Sequence, residues 1–456
     1  MNRSRTDHSS TRTTVLLSLL GLFVLALFTY QYLSIAQHDT FYVAHHFEHL
    51  VPKLKTLAYF FSGFLLALWL FLRSVREYST KKFLAIIIAV TIGLAIVAII
   101  THPTRSQDIY WSLLLGKGFS QYHLNPYQTI PEILGTDPWA YPVLTWKDIP
   151  MIYGPIWALI VSAATWLASS LGTALVFMKL LGVAILAISG KLLWDCMGVM
   201  GFTDLKKCTL LTLFLWNPFV IQITVVDVHN DSLLMLCFLA SYLFLLKKNY
   251  FASIVALLAG GFVKYIPWLF ILIPLYYLIK DRDKIRKYYH LGASALTGIL
   301  LLIFLYAPFG GFSLKSFAGL IFQTKNIGLP TEYLPGTKLI LDLFNITFGQ
   351  LNWFGIILAI ATMVFCLKNN KPLLAYFLPL LAIFFFASPW FQSWYGLWVL
   401  PMMILAWPFL AIVIFSIFLL FTPELVSPSV MSIYLPAYVF YAWAIAKVYA
   451  LANKNS

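Results

Sequence analysis

Apolar runs long enough to cross a bilayer recur along the chain between residues 15 and 451, and no other feature limits its possible folds so strongly. A helix needs about 20 residues to cross a hydrocarbon core, where backbone groups must be paired within the segment. The expected fold class is therefore all-α membrane. Composition agrees, since 61% of the residues are hydrophobic and 11% are charged, against roughly 25% charged in a soluble domain.

Spans are expected near 14–36, 56–73, 83–101, 172–195, 208–226, 231–247, 250–264, 266–280, 289–307, 351–367, 372–388, 394–407, 408–422 and 431–451. That makes a bundle of about fourteen helices. Loops 102–150 and 308–350 are long. Residues 1–81 read as a two-helix N-terminal extension, and 82–456 as the main membrane domain. The run behind Arg3, Arg5 and Arg12 is too long for a cleaved signal and reads as a first span.

A net charge of +14 could suggest nucleic acid, but the basic residues sit in short loops, where they orient a membrane protein. With the N-terminus inside, the inner loops are Arg73/Arg76/Lys81/Lys82, Lys206/Lys207, Lys247/Lys248, Lys280 to Lys287 and Lys368/Lys371. Both termini are then cytoplasmic and both long loops external. This parity holds only if the apolar stretch 153–171 does not cross, so it reads as a helix lying against or dipping into the outer leaflet. Cys196, Cys208, Cys237 and Cys366 show neither zinc spacing nor a disulfide framework.

Four polar constellations fall at expected outer ends. Asp108, in Thr104-Arg105-Ser106-Gln107-Asp108-Ile109-Tyr110, suits a base that takes a proton from an attacking hydroxyl; equally, Ser106 or Asp108 suits a helix cap. Asn217-Pro218 is followed by Asp227-Val228-His229-Asn230-Asp231-Ser232, where Asn230 or Asp231 could cap the next helix. Asp227, His229 and Asp231 could be imagined as metal ligands, although a metal is not expected. Lys264, in Gly260-Gly261-Phe262-Val263-Lys264-Tyr265-Ile266-Pro267, either snorkels or pairs with an anion. Pro389-Trp390-Phe391-Gln392-Ser393-Trp394-Tyr395 suits a sugar platform or an ordinary interfacial aromatic belt.

The stretch SQDIYWSLLLGKGFSQYHLNPY with the later YGPIWAL resembles the first external loop of GT-C glycosyltransferases. Within that superfamily it is most similar to the polyprenol-phosphate-mannose-dependent mannosyltransferases of prokaryotes. The shared pattern comprises Asp108, Tyr110, Gly116, Asn125-Pro126-Tyr127 and Tyr153-Gly154-Pro155. The NP…HND, Lys-then-Pro and P-W-F-x-x-W-Y segments follow in the same order. The resemblance implies that Asp108 is the catalytic base. It implies donor-phosphate contacts from Lys264, with His229, Lys338 and Arg105 as further candidates. Tyr110, Asn125, Tyr127, Tyr153, Asn230, Asp231, Gln392, Trp394 and Tyr395 become substrate contacts.

The expected activity is inverting transfer of a sugar, mannose by resemblance, from a polyprenyl-phosphate donor to a glycan or glycolipid acceptor on the external face. No cofactor is expected, the lipid-linked sugar being a substrate, and the surrounding partners are membrane lipids rather than nucleic acid. The rival reading is a transporter or lipid flippase, which explains intramembrane charge but predicts two related halves with broken helices at the midplane. No such internal symmetry is visible. A noncatalytic subunit that only binds a lipid-linked sugar is a third reading.

Overall fold

The computed structural model describes residues 80–103, 106, 108–143, 146–311, 348–387, 392–406 and five positions between 411 and 419. The spans expected at 14–36, 56–73 and 431–451, most of those at 408–422 and of the second long loop, and the candidates Arg105 and Lys338 lie outside these residues. Among the described residues the fold is helical, with no strand.

Helix α1 (Thr80–Ile100) divides its surface as a lipid-facing span should. Ile88, Ile92, Ile96 and Ile100 are exposed, four residues apart, while Phe83, Ile87, Leu94 and Ala98 are buried. Residues that far apart share one face. Helix α2 (Asp108–Tyr122) follows, inside the first long loop, and packs on α3 (Pro155–Leu167). With 13 residues, α3 is about 20 Å long, shorter than the roughly 30 Å hydrocarbon core. It cannot cross alone.

Helix α4 (Leu171–Val199) is long and apolar, and is capped by Ser170, whose Oγ accepts the Thr173 N–H at 3.2 Å. The run expected as one span at 208–226 is instead broken into α5 (Asp204–Leu215), α6 (Pro218–Ile221) and a π-turn over Gln222–Val226. The two parts meet at 50°. Pro218 has no N–H for the preceding turn and its ring crowds the carbonyl four residues back. Asn217 then restarts the helix, its Oδ1 accepting the Phe219 N–H at 3.0 Å.

Helices α7 (Asp231–Leu246), α8 (Tyr250–Gly261), α9 (Pro267–Phe270), α10 (Leu272–Lys280) and α11 (Lys284–Tyr306) come next. The run expected as a span at 266–280 is helical from Pro267 to Lys280, α9 and α10 being joined through Ile271, whose backbone stays helical. Lys264, expected at the end of a span, lies in the turn between α8 and α9. The long helix α11 starts five residues before the expected 289, because Asp283 caps it by accepting the Arg286 N–H at 3.0 Å.

After the second long loop come α12 (Phe348–Lys368), α13 (Pro372–Ala382) with a π-turn over Ile383–Ala387, and α14 (Gly396–Ala406). Among the described residues, α1, α4 and Lys284–Phe309 are long and apolar enough to cross a membrane singly, and the bent pair makes a fourth candidate. The remaining apolar helices are shorter. Helix α7 is the hub, packed on α4, α8 and α14, and its N-terminus marks the polar end of the core.

The first long loop is braced by a buried ion pair that the sequence did not announce. Lys117 Nζ reaches both oxygens of Asp137 at 2.9 and 2.7 Å; Tyr122 Oη and the Trp139 N–H donate to the same carboxylate. Lys117 also sits 4.7 Å from the centre of the Trp139 ring. This cluster pins the C-terminal half of α2 to the loop beyond it. Lys117→Met is expected to cost about 3 kcal/mol, because it leaves a buried carboxylate without its cation. A lowered thermal unfolding midpoint in detergent, with Asp137→Asn as companion, measures it; an unchanged midpoint refutes the brace.

Candidate functional site

Asp108 is the first residue of α2. Ser106 Oγ accepts the Asp108 N–H at 3.1 Å, so local capping falls to the serine and leaves the Asp108 carboxylate for other work. Its Oδ2 accepts from Tyr153 Oη at 2.7 Å and faces His229 Nε2 at 3.2 Å. Its Oδ1 has no partner among the described residues. The side chain is 21% exposed, enough for a ligand to reach one oxygen.

His229 arrives through unusual backbone. The π-turn closes with the Asp227 N–H on the Gln222 carbonyl at 2.8 Å, and the His229 N–H bonds Ile223 O at 2.9 Å. Between them Val228 has φ +49°, a conformation costly for a β-branched residue and found where a fold needs one side chain aimed. Gly182 of α4 lets this segment come close, since a Cβ there would lie 2.2 Å from the Thr224 carbonyl oxygen. The imidazole is 1% exposed and packs against Trp394, ring centres 4.7 Å apart and planes inclined by 30°.

Behind the imidazole stands Asp231, at the start of α7. Its Oδ2 lies against His229 Nδ1, an ion-pair approach without hydrogen-bond alignment. Lys264 Nζ lies 3.2 and 3.3 Å from Asp231 Oδ1 and Oδ2. The ammonium also lies 4.3 Å from the Tyr395 ring centre, 5.4 Å from that of Trp398 and 5.5 Å from that of Tyr153. Four charged groups therefore alternate in sign: Asp108, His229, Asp231, Lys264.

The turn that carries Lys264 is tied to the first loop by backbone. The Gly154 N–H donates to Val263 O at 2.8 Å and the Ile156 N–H to Phe262 O at 3.1 Å. A Cβ on Gly154 would lie 2.1 Å from the Phe262 carbonyl oxygen. The Tyr-Gly-Pro segment thus places Tyr153 against Asp108 and docks it beside Lys264.

Burial alone would raise the Asp108 pKa, but the hydrogen bond and charge of His229 and the bond from Tyr153 outweigh it and hold it below the usual carboxylate value. Burial likewise pulls the His229 pKa down; the charge of Asp231 and the bond to Asp108 overcome this and raise it to about 9. Asp108 is then an anion and His229 a cation at neutral pH. Tyr153 is pushed well above the ordinary phenol range by burial and by the adjacent Asp108, so it stays a donor.

The fold brings Asp108, Tyr153, His229, Asp231, Lys264, Trp394 and Tyr395 together. Asn230 lies between two of them, 1% exposed, and its amide neither caps α7 nor has a partner among the described residues. Gln392 is half-buried and starts the short turn Ser393–Tyr395 that presents Trp394. Two other candidates are held by contacts within the protein. Asn125 Nδ2 donates to Phe309 O at 2.8 Å while its Oδ1 accepts the Tyr127 N–H at 3.0 Å. Tyr127 Oη donates to the Tyr153 carbonyl at 3.1 Å, bracing the loop from behind. Tyr110 is buried, and its pKa is raised to about 12 by burial and then by the charge of Asp227.

Lys179 was not anticipated, although a lysine inside the run 172–195 was a signal. Its Nζ donates to Ala98 O at 3.1 Å and to Thr101 O at 2.5 Å, satisfying carbonyls at the end of α1 just before the Asp108 loop. Asp227, His229 and Asp231 do not gather as ligands: among the described residues no group of three His, Cys, Asp or Glu is placed to hold a metal ion.

A family model described as alpha-(1->6)-mannopyranosyltransferase, N-terminal domain (the MptA_B family), matches residues 14–279, more than half of the chain. The match ends shortly after Lys264 and contains the whole charged array. No curated protein and no solved structure matches.

Proposed function

The chain belongs to the MptA_B family of alpha-(1->6)-mannopyranosyltransferases, and from that premise we propose that it moves mannose from a polyprenyl-phosphate donor to a hydroxyl of a glycan or glycolipid. The reaction is a single inverting displacement at the outer membrane surface. Asp108 takes the proton of the acceptor hydroxyl as that oxygen attacks the anomeric carbon. The bond from the anomeric carbon to the phosphate oxygen breaks, its electron pair staying on the phosphate. A β-linked donor yields an α-linked product, and the family description suggests a (1->6) linkage.

The observation that carries this reading is the placement of Asp108: one carboxylate oxygen is held by Tyr153 and His229, which keep its pKa below the ordinary value, and the other is without a partner among the described residues. A base must be deprotonated, oriented and reachable. Lys264 supports the leaving group. Asp231 lies toward one side of its ammonium, so an N–H is left for a phosphate oxygen. His229 is less suited to that task, because both ring nitrogens already face carboxylates. Trp394, half-buried beside them, is the ring offered to a sugar, since Tyr395 is stacked on Trp398 and faced by Lys264.

The test is transfer by purified protein in lipid, using a panel of polyprenyl-phosphate sugars, a mannan-type oligosaccharide acceptor and a chelator. Mannose is expected to move from the mannosyl donor in the presence of chelator, leaving free polyprenyl phosphate. No turnover with any donor, together with movement of the donor or a solute across the bilayer, would favour the transporter.

A further inference from the structure

Asp231, like His229, is a member of the charged array that no substrate can touch. Its side chain is 0% exposed, and its carboxylate is flanked by His229 Nδ1 and Lys264 Nζ. Any influence on the reaction passes through those two groups. Resting on the reading of Asp108 as base and Lys264 as phosphate ligand, we propose that Asp231 is a positioning residue that fixes His229 as an imidazolium aimed at Asp108 while aligning Lys264 for the leaving phosphate.

The geometry imposes the first half. A neutral imidazole carries one N–H and one lone pair. Here a carboxylate faces each nitrogen, Asp108 at Nε2 and Asp231 at Nδ1. Only the doubly protonated ring meets both without placing a lone pair against an anion. The ring cannot turn away, because it is buried and packed against Trp394. The charged and titratable groups around it are Asp108 on α2, Tyr153 ahead of α3, Asp227 in its own turn, Asp231 on α7, Lys264 after α8 and Tyr395 before α14.

The second half follows from charge. With two anions and two cations the array is neutral before reaction. When Asp108 takes the acceptor proton it loses its charge, and the array becomes positive by one unit as the departing phosphate gains one negative charge. Compensation of this kind acts strongly where water is excluded. It requires Asp231 to stay ionised and to keep both cations in place.

Rates for wild type and Asp231→Asn, measured from about pH 5 to pH 10, test the proposal. In the variant the acid limb is expected to move up, because Asp108 loses the help of a charged imidazole. The alkaline limb is expected to move down from about 9. The rate at the optimum should fall roughly 30- to 100-fold, and Asp231→Glu should restore part of the window. A uniform fall in kcat with unmoved limbs overturns the proposal.

A second measurement stands if Asp231→Asn fails to fold. The chain has nine histidines, and in NMR of histidine-labelled wild type the His229 signal is the one lost in His229→Gln. It is expected to stay protonated through neutral pH. Titration at or below the ordinary value of about 6.5 overturns the proposal without any turnover being needed. A raised His229 titration in a protein that transfers no sugar would leave the array standing and remove the transferase reading instead.

Discussion

Asp108→Asn is expected to lower mannosyl transfer by about a thousandfold or more, at unchanged protein abundance. The change is close to isosteric. The asparagine carbonyl oxygen can still accept from Tyr153 Oη and from His229 Nε2, as Asp108 Oδ2 does at 2.7 and 3.2 Å, so local packing survives. The amide NH2 then occupies the position of Oδ1 and cannot receive a proton. Donor binding should persist, since Lys264 and the aromatic rings are untouched. The check is initial rate of transfer beside donor affinity in the same preparation. Full activity in this variant would remove Asp108 from the mechanism.

Gly154→Ala is expected to be nearly as damaging, for a different reason. The φ at this position is −68°, a conformation open to any residue, so the penalty is purely steric. The added Cβ would meet backbone, 2.1 Å from Phe262 O and 2.5 Å from Phe262 C. No flexible side chain is there to move aside. Relief requires parting the loop from the turn and losing the bonds of Gly154 to Val263 and Ile156 to Phe262. A loss of about 3 kcal/mol is the scale of overpacking a rigid contact, and it should appear as a lower unfolding midpoint. Transfer should fall too, because Tyr153 and Lys264 are positioned from the two sides of this contact. Gly93→Ala is the control, since nothing lies within 4 Å of a Cβ there. Equal behaviour of the two variants would show that the docking of this loop does not matter.

The helical membrane class was legible because hydrophobicity adds up along a segment. A run such as α1 carries its own evidence, and so does the lipid-facing spacing of Ile88, Ile92, Ile96 and Ile100. Breaks in spans were less legible. Asn217-Pro218 stood out as a motif, yet its local consequence, a 50° bend followed by a π-turn, was folded into one expected span. The apolar pattern simply continues through it.

The candidate site divides in the same way. Asp108, His229 and Lys264 were visible as polar residues at the edges of apolar runs, where a charge costs free energy and so draws notice. Asn125 and Tyr127 looked similar and turned out to brace Phe309 and Tyr153. Motif spacing tells which residues travel together and not which way they face. Lys117 and Asp137 escaped notice because each resembles an ordinary loop charge until the two are seen in contact.

From the sequence alone came the solvent, the helical class, the family resemblance and the carboxylate proposed as base, all properties of short stretches read one at a time. The order of charges came only from tertiary structure. His229 meets Asp108 across 121 residues, and Lys264 meets Asp231 across 33. Those contacts depend on how α2, α7 and the turn after α8 pack, which no local pattern specifies. A pair of ions brought together inside apolar surroundings controls protonation far more strongly than the same ions in water, and packing alone determines which ions meet.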